Sequence, residues 1–96
     1  MYYVYVLQSL KDNKFYTGFT PNLKKRIERH QRGEIKSTKG RVPLKLIYYE
    51  AYLLRDDAVA REKYLKTSMG KRVLKKQLKN FIKSVKSGKI VVDSIK

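Results

Sequence analysis

Residues Tyr2 to Leu7, YYVYVL, form an unbroken run of β-branched and aromatic side chains. A run with no polar face to offer water reads as a strand covered on both sides. Lys11-Asp12-Asn13-Lys14 carries turn chemistry, and Phe15-Tyr16-Thr17-Gly18 reads as the returning strand of a hairpin. Thr20 is a suitable N-cap, with Pro21 at the first helical position, where its missing N–H costs nothing. A helix is expected from Pro21 to about Arg32, stopped by Gly33. Glu34 to Pro43 is a polar, basic loop, and Leu44 to Tyr52 is a third strand. Asp56 or Asp57 is expected to cap a helix running to about Thr67, and Gly70 to interrupt before another from Lys71 to about Lys86. Ser87-Gly88 would end that helix and leave Ile90 to Ile95 as a short extended tail or edge strand. The order β-β-α-β-α-α implies an α+β fold, a small three-stranded antiparallel sheet flanked by helices. With 96 residues there is room for one core. We therefore expect a single domain over 1–86 and a C-terminal tail over 87–96.

Charge narrows the partner. Twenty-four Lys and Arg stand against eight Asp and Glu, a formal +16, which concentrates polyanions near the surface. Nucleic acid is the expected partner: DNA first, RNA as the alternative. Solubility and ribosome association are blander uses of the same charge. No acid occurs between Glu62 and Asp93, so the basic residues there form a patch. Lys71, Arg72, Lys75, Lys76 and Lys79 are expected to touch phosphates, as are Lys24, Lys25 and Arg29 on the first helix and Lys36, Lys39 and Arg41 in the loop. The absence of cysteine excludes disulfides and thiolate metal sites, and a single histidine excludes a histidine-rich zinc cluster. Met1 to Leu7 is too short to cross a bilayer and has no basic leader. A cytoplasmic protein without membrane contact is the expectation.

Polar groups on apolar helix faces carry the functional signal, because burying them costs energy unless they have partners or work there. Leu23, Ile27 and His30 share one face of the first helix, with Arg26 at the edge of that stripe. His30 also fits a hydrogen-bonded boundary residue near the helix C-terminus, where the dipole favours a cation. Leu54, Ala58, Glu62 and Leu65 follow the same spacing on the second helix, placing a carboxylate within the inward stripe. The plain alternative for Glu62 is an ion pair with Lys66, four residues on. On the last helix Leu74, Leu78, Phe81, Ile82 and Val85 oppose lysines, an amphipathic pattern best spent on the sheet. Of the eight tyrosines, Tyr48, Tyr49 and Tyr52 read as sheet packing, whereas Tyr5 and Tyr16 could converge on one face of the hairpin.

Tyr3-Val4-Tyr5-Val6-Leu7, followed after a hairpin by Tyr16-Thr17-Gly18, resembles the paired signature of GIY-YIG nucleases. Tyr5 and Tyr16 match the tyrosines of the two halves, Arg26 the family's helix arginine, and His30 a position often held by His or Tyr. Arg61-Glu62-Lys63 matches the segment that carries the metal-binding glutamate. The likeness spans about residues 2 to 68 and is closest to short standalone bacterial members. No glycine leads the first half, and Phe19 stands where some relatives carry a lysine, which points to His30 as the group assisting a tyrosine. Asn80 has no assured counterpart in the family.

The resemblance implies a metal-dependent endonuclease that hydrolyses DNA phosphodiesters, with repair or recombination as its setting. One Mg²⁺ (or Mn²⁺) would be held by Glu62, and Arg26 would complement phosphate charge. Tyr5 would act as general base assisted by His30, and Tyr16 would orient water or phosphate. Gly18 would let the backbone approach closely at the strand-to-helix turn. A non-catalytic DNA- or RNA-binding module of the same fold is the alternative. So small a chain leaves room for a protein partner that delivers specificity.

Overall fold

The computed structural model describes residues 1–88. Three strands, β1 (Tyr2–Ser9), β2 (Phe15–Thr20) and β3 (Leu44–Tyr52), form one antiparallel sheet in the order β2-β1-β3. The apolar run at the N-terminus is thus the central strand. Its alternating side chains feed two cores. Val4 and Val6 point to one face, where they meet Ala58 and Leu65 of α2 (Arg55–Leu65) and Leu74 of α3 (Ser68–Gln77). Tyr5 and Leu7 point to the other, where Leu44 joins them under Leu23 and Ile27 of α1 (Leu23–Gln31). Removal of those side chains from water, on the order of 1.5–3 kcal/mol for each large one, clamps a helix to each face. β1 and β3 slip by one residue between Val6 and Leu7, so Val6 faces Tyr48 while Leu7 faces Leu46.

The hairpin and the elements match the expected order, but several boundaries move. Thr20 remains in the ladder opposite Tyr3, so it cannot cap. Its hydroxyl accepts from the Asn22 backbone instead, and Asn22 caps α1 by accepting from the Lys25 N–H. Asp56 and Asp57 lie in the first turn of α2 behind an N-cap at Leu54, where their charge suits the helix dipole. Leu54 therefore leaves the inward stripe and is exposed. Gly70 does not interrupt a helix. It sits inside α3, where a Cβ would strike the Tyr64 carbonyl and lie 2.8 Å from the Leu65 Cα, so its smallness lets α3 pack on the end of α2. Thr67 caps α3 through the Gly70 N–H.

The long final helix is instead two, because Leu78, at φ −100° and ψ 20°, ends α3 and begins α4 (Lys79–Lys86). No residue of α4 is buried. Its apolar side, expected to lie on the sheet, borders a pocket of about 780 Å³ between itself, α3 and the β1–β2 hairpin. The extended tail expected over Ile90 to Ile95 falls outside the described residues. Among the described residues no helix is long and apolar enough to cross a membrane.

Candidate active site

Tyr5 stands mid-way along the central strand, fully buried, on the face that α1 covers. Its ring lies over Gly18, its cross-strand partner in β2: a Cβ there would overlap the phenol oxygen and approach Cε2 to 2.8 Å. Gly18 is within β2, not at the strand-to-helix turn, and the group that needs its missing side chain is the Tyr5 phenol. α1 then brings His30, also fully buried, against that phenol. The Tyr5 hydroxyl and His30 Nε2 are 2.8 Å apart, and His30 Nδ1 is 2.6 Å from the Thr38 hydroxyl. Tyr16 completes an aromatic triangle, with its centroid 5.4 Å from His30 and 6.4 Å from Tyr5. The Tyr16 hydroxyl accepts from Ser37 at 3.2 Å, so its own O–H remains available as a donor.

Both buried groups are held neutral. Burial removes the water that would stabilise a phenolate, and Tyr16 and Glu62 add to the effect, raising Tyr5 above the ordinary phenol range. Arg26 opposes this without overcoming it. Burial, reinforced by the positive charges of Arg26 and Arg29, lowers His30 to about 4. A neutral imidazole has one donor and one acceptor nitrogen. A Tyr5 O–H donating to Nε2, with Nδ1–H donating to Thr38, satisfies all three groups. Proton transfer from Tyr5 to His30 is uphill in the resting protein, because burial weakens the phenol as an acid and the imidazole as a base. The resting pair is therefore two neutral groups.

The other expected site residues are placed less uniformly. Arg26 is half-buried, and its charge is felt by both Tyr5 and His30. Glu62 projects from α2, on the opposite side of the sheet from α1, yet its charge also reaches Tyr5. Its direct partner is Lys66 at 2.9 Å, the ion pair that helical spacing allowed. The Glu62 side chain is 19% exposed and that of Lys66 51%, so the lysine can swing into solvent and release the carboxylate. Among the described residues no three His, Cys, Asp or Glu side chains cluster. A lone carboxylate fits Mg²⁺ bound largely by water and phosphate oxygens, and does not fit a cage made of protein ligands.

The basic residues separate into two kinds. Lys24, Lys25, Lys36, Lys39, Lys71, Arg72, Lys75, Lys76 and Lys79 are exposed, as phosphate contacts require. Arg29 is exposed but lies 3.6 Å from Glu34. Arg41 is half-buried, 3.6 Å from Asp12 and donating to the Phe15 carbonyl, so it ties the loop to the hairpin.

Sequence reasoning missed Thr38, whose burial depends on a loop folding over α1, and it missed a charged cluster on the opposite face. There Glu50 accepts from Tyr48 and Tyr52, each at 2.5 Å, and from Arg61 at 3.0 Å. Burial would raise the Glu50 carboxyl, but the bonds from Arg61, Tyr48 and Tyr52 outweigh it and hold it below the usual carboxylate range. The only sequence sign of this cluster was tyrosines spaced two apart around an acid.

The family model for the GIY-YIG catalytic domain matches residues 1–78. A UPF0213 protein of Clostridium perfringens is 48% identical over 67 residues, 69% of this chain and 71% of that protein. A second, from Staphylococcus haemolyticus, is 40% identical over 75 residues, covering 77% and 90%. A third, from Streptococcus agalactiae, is 38% identical over 81 residues, covering 81% and 91%. No solved structure matches.

Proposed function

This chain belongs to the GIY-YIG family, and from that premise we propose that it is a metal-dependent endonuclease hydrolysing phosphodiester bonds of DNA. Nuclease-type chemistry on nucleic acid comes with the family. The carrying observation is the pairing of a buried phenol with a neutral imidazole, beside a guanidinium and within reach of a carboxylate charge. Fold maintenance alone would be served as well by apolar groups there.

Each side chain has a role that follows from its setting. Arg26 complements the charge that grows on the phosphate. Tyr5 takes a proton from the attacking water only as it passes its own to His30 Nε2, so no free phenolate forms. His30 is depressed first by burial and then by Arg26, and a phosphate's negative charge near Arg26 offsets that second part, which raises the basicity of His30 when substrate binds. Thr38 accepts from Nδ1–H and keeps Nε2 as the acceptor. Tyr16 donates its free O–H to the water or to a phosphate oxygen. Glu62 would hold one Mg²⁺ or Mn²⁺ after Lys66 swings away. When bound, the ion supplies positive charge to the phosphate and the leaving oxygen. Exposed lysines and arginines on α1, the loop and α3 hold the backbone without reading sequence. We place the protein in the cytoplasm, in DNA repair or recombination.

A binding module of the same fold is the second reading. The Glu62–Lys66 ion pair favours it, since it occupies the carboxylate that would hold the metal. Cleavage separates the two. Supercoiled, branched and single-stranded DNA, with RNA counterparts, would be incubated with the protein in Mg²⁺, Mn²⁺ or chelator. We expect metal-dependent nicking of at least one DNA form. Salt-sensitive binding with no cleavage of any form would establish the binding module instead.

A further inference from the structure

The pocket between the hairpin, α3 and α4 contains a polar atom that the catalytic reading does not use. Gln8, 6% exposed on β1, lines it, and the Gln8 Oε1 has no hydrogen-bond partner among the described residues. The orientation of that amide is fixed chemically. Its Nε2 donates to the Asn13 carbonyl at 3.3 Å, and a flipped amide would set two acceptors against each other. A buried acceptor, closed off from solvent in this conformation, thus stands on a residue of the pocket wall and calls for a donor.

The surroundings describe that donor's owner. Phe15, Phe81 and Ile82 give flat or apolar walls, and five lysines, among them Lys14, Lys71 and Lys75, surround them without an acid in the lining. The volume, about 780 Å³, is that of a small-molecule site. Tyr16 borders the pocket, so it shares a wall with the catalytic cluster, and so does Lys66, the partner of Glu62.

We propose that this pocket receives a nucleobase displaced from the DNA strand next to the cut phosphate. Phe15 and Phe81 contact its face, Gln8 Oε1 accepts from its exocyclic amino group, and the lysines take the flanking phosphates. This rests on the reading of the chain as a DNA-acting protein, and it adds a substrate class: DNA with an unpaired or easily unpaired nucleotide, for which extrusion costs least.

Binding in chelator tests it without any need for cutting. Labelled duplexes would carry one unpaired position holding adenine, purine (adenine without its amino group) or an abasic sugar. Fluorescence anisotropy would be read for the full chain as wild type, Gln8→Leu and Phe81→Ala, each checked by circular dichroism. For the wild type we expect adenine to bind roughly tenfold tighter than the abasic duplex, as stacking predicts, and several-fold tighter than purine. Gln8→Leu should bind adenine and purine equally, and Phe81→Ala should lose most of the adenine advantage over the abasic site. Should Gln8→Leu fail to fold, the three duplexes with wild type and Phe81→Ala decide alone. Equal wild-type binding to all three overturns the pocket, leaving Gln8 hydrated, whether or not the protein cuts DNA. A preference for adenine in a protein that never cuts leaves the pocket standing and removes the nuclease.

Discussion

On one face of the sheet, Glu50 is gripped by Arg61, Tyr48 and Tyr52; on the other, Tyr5 meets His30, which meets Thr38. Both clusters hide polar groups beside a helix, yet they are finished differently. The Glu50 cluster is closed: each carboxylate oxygen has donors, its charge is cancelled by Arg61, and Tyr52 is pushed up to about 12, first by burial and then by its bond to Glu50. Nothing there is left to react. The Tyr5 cluster has no charge of its own, a phenol too weak an acid and an imidazole too weak a base for solution chemistry, and an arginine beside them. A closed charged cluster holds a fold, whereas a pair kept neutral chiefly by burial, with an arginine beside it, is ready for an arriving anion.

That contrast is open to breakage by mutation. Tyr5→Phe removes one oxygen and keeps the ring over Gly18, so DNA cleavage per folded molecule should fall by about 10²–10⁴-fold, while stability drops by only about 1–3 kcal/mol for the His30 Nε2 left without its donor. Full cleavage would remove Tyr5 from the chemistry. Glu50→Gln should do the reverse: about 3 kcal/mol of stability lost in denaturant titration, with the cutting rate per folded molecule kept. If cutting collapses while stability holds, the closed cluster is functional after all.

Acid sharpens the comparison, because each cluster loses stability in its own window. His30 has a folded pKa below its unfolded one, so its stabilisation is complete above about 6.5 and is lost as pH falls towards about 4. That amounts to about 3 kcal/mol, and His30→Gln should erase this window alone. Glu50, also depressed in the fold, gives stability that is present above the ordinary carboxylate value of 4.5 and is lost as pH falls below it. With one histidine in the chain, its NMR titration is unambiguous, and a pKa near or above 6.5 would refute the buried neutral imidazole. The smallest effect is at the surface. Arg72→Ala or Lys76→Ala should flatten the salt dependence of binding by about one unit of slope and weaken affinity a few-fold, with cutting at saturation unchanged.

What sequence could and could not disclose follows from the range of the forces. The strands were legible because YYVYVL and LKLIYYEAY fit few other states, and β1 is covered on both faces, as its unbroken apolarity required. Arg26 and His30 were legible from helical spacing, since one helix fixes both. Gly70 was misread because a glycine that admits a neighbouring backbone looks, in sequence, like one that ends a helix. The break at Leu78 carried no glycine or proline to announce it. Thr38 and the Gln8 carbonyl depend on how distant segments close over them, and no local pattern encodes that. Glu62 lay between: its inward stripe and its pairing with Lys66 were both written at the same spacing, and both are realised.

Glu62 is consequently where the account is most exposed. Plasmid nicking in Mg²⁺ should be compared for wild type and Glu62→Ala at matched DNA occupancy. We expect nicking to vanish in the variant while its salt-dependent DNA affinity stays close to wild type. Undiminished nicking by Glu62→Ala would contradict the assignment, leaving the basic surface without a catalytic centre built on that carboxylate.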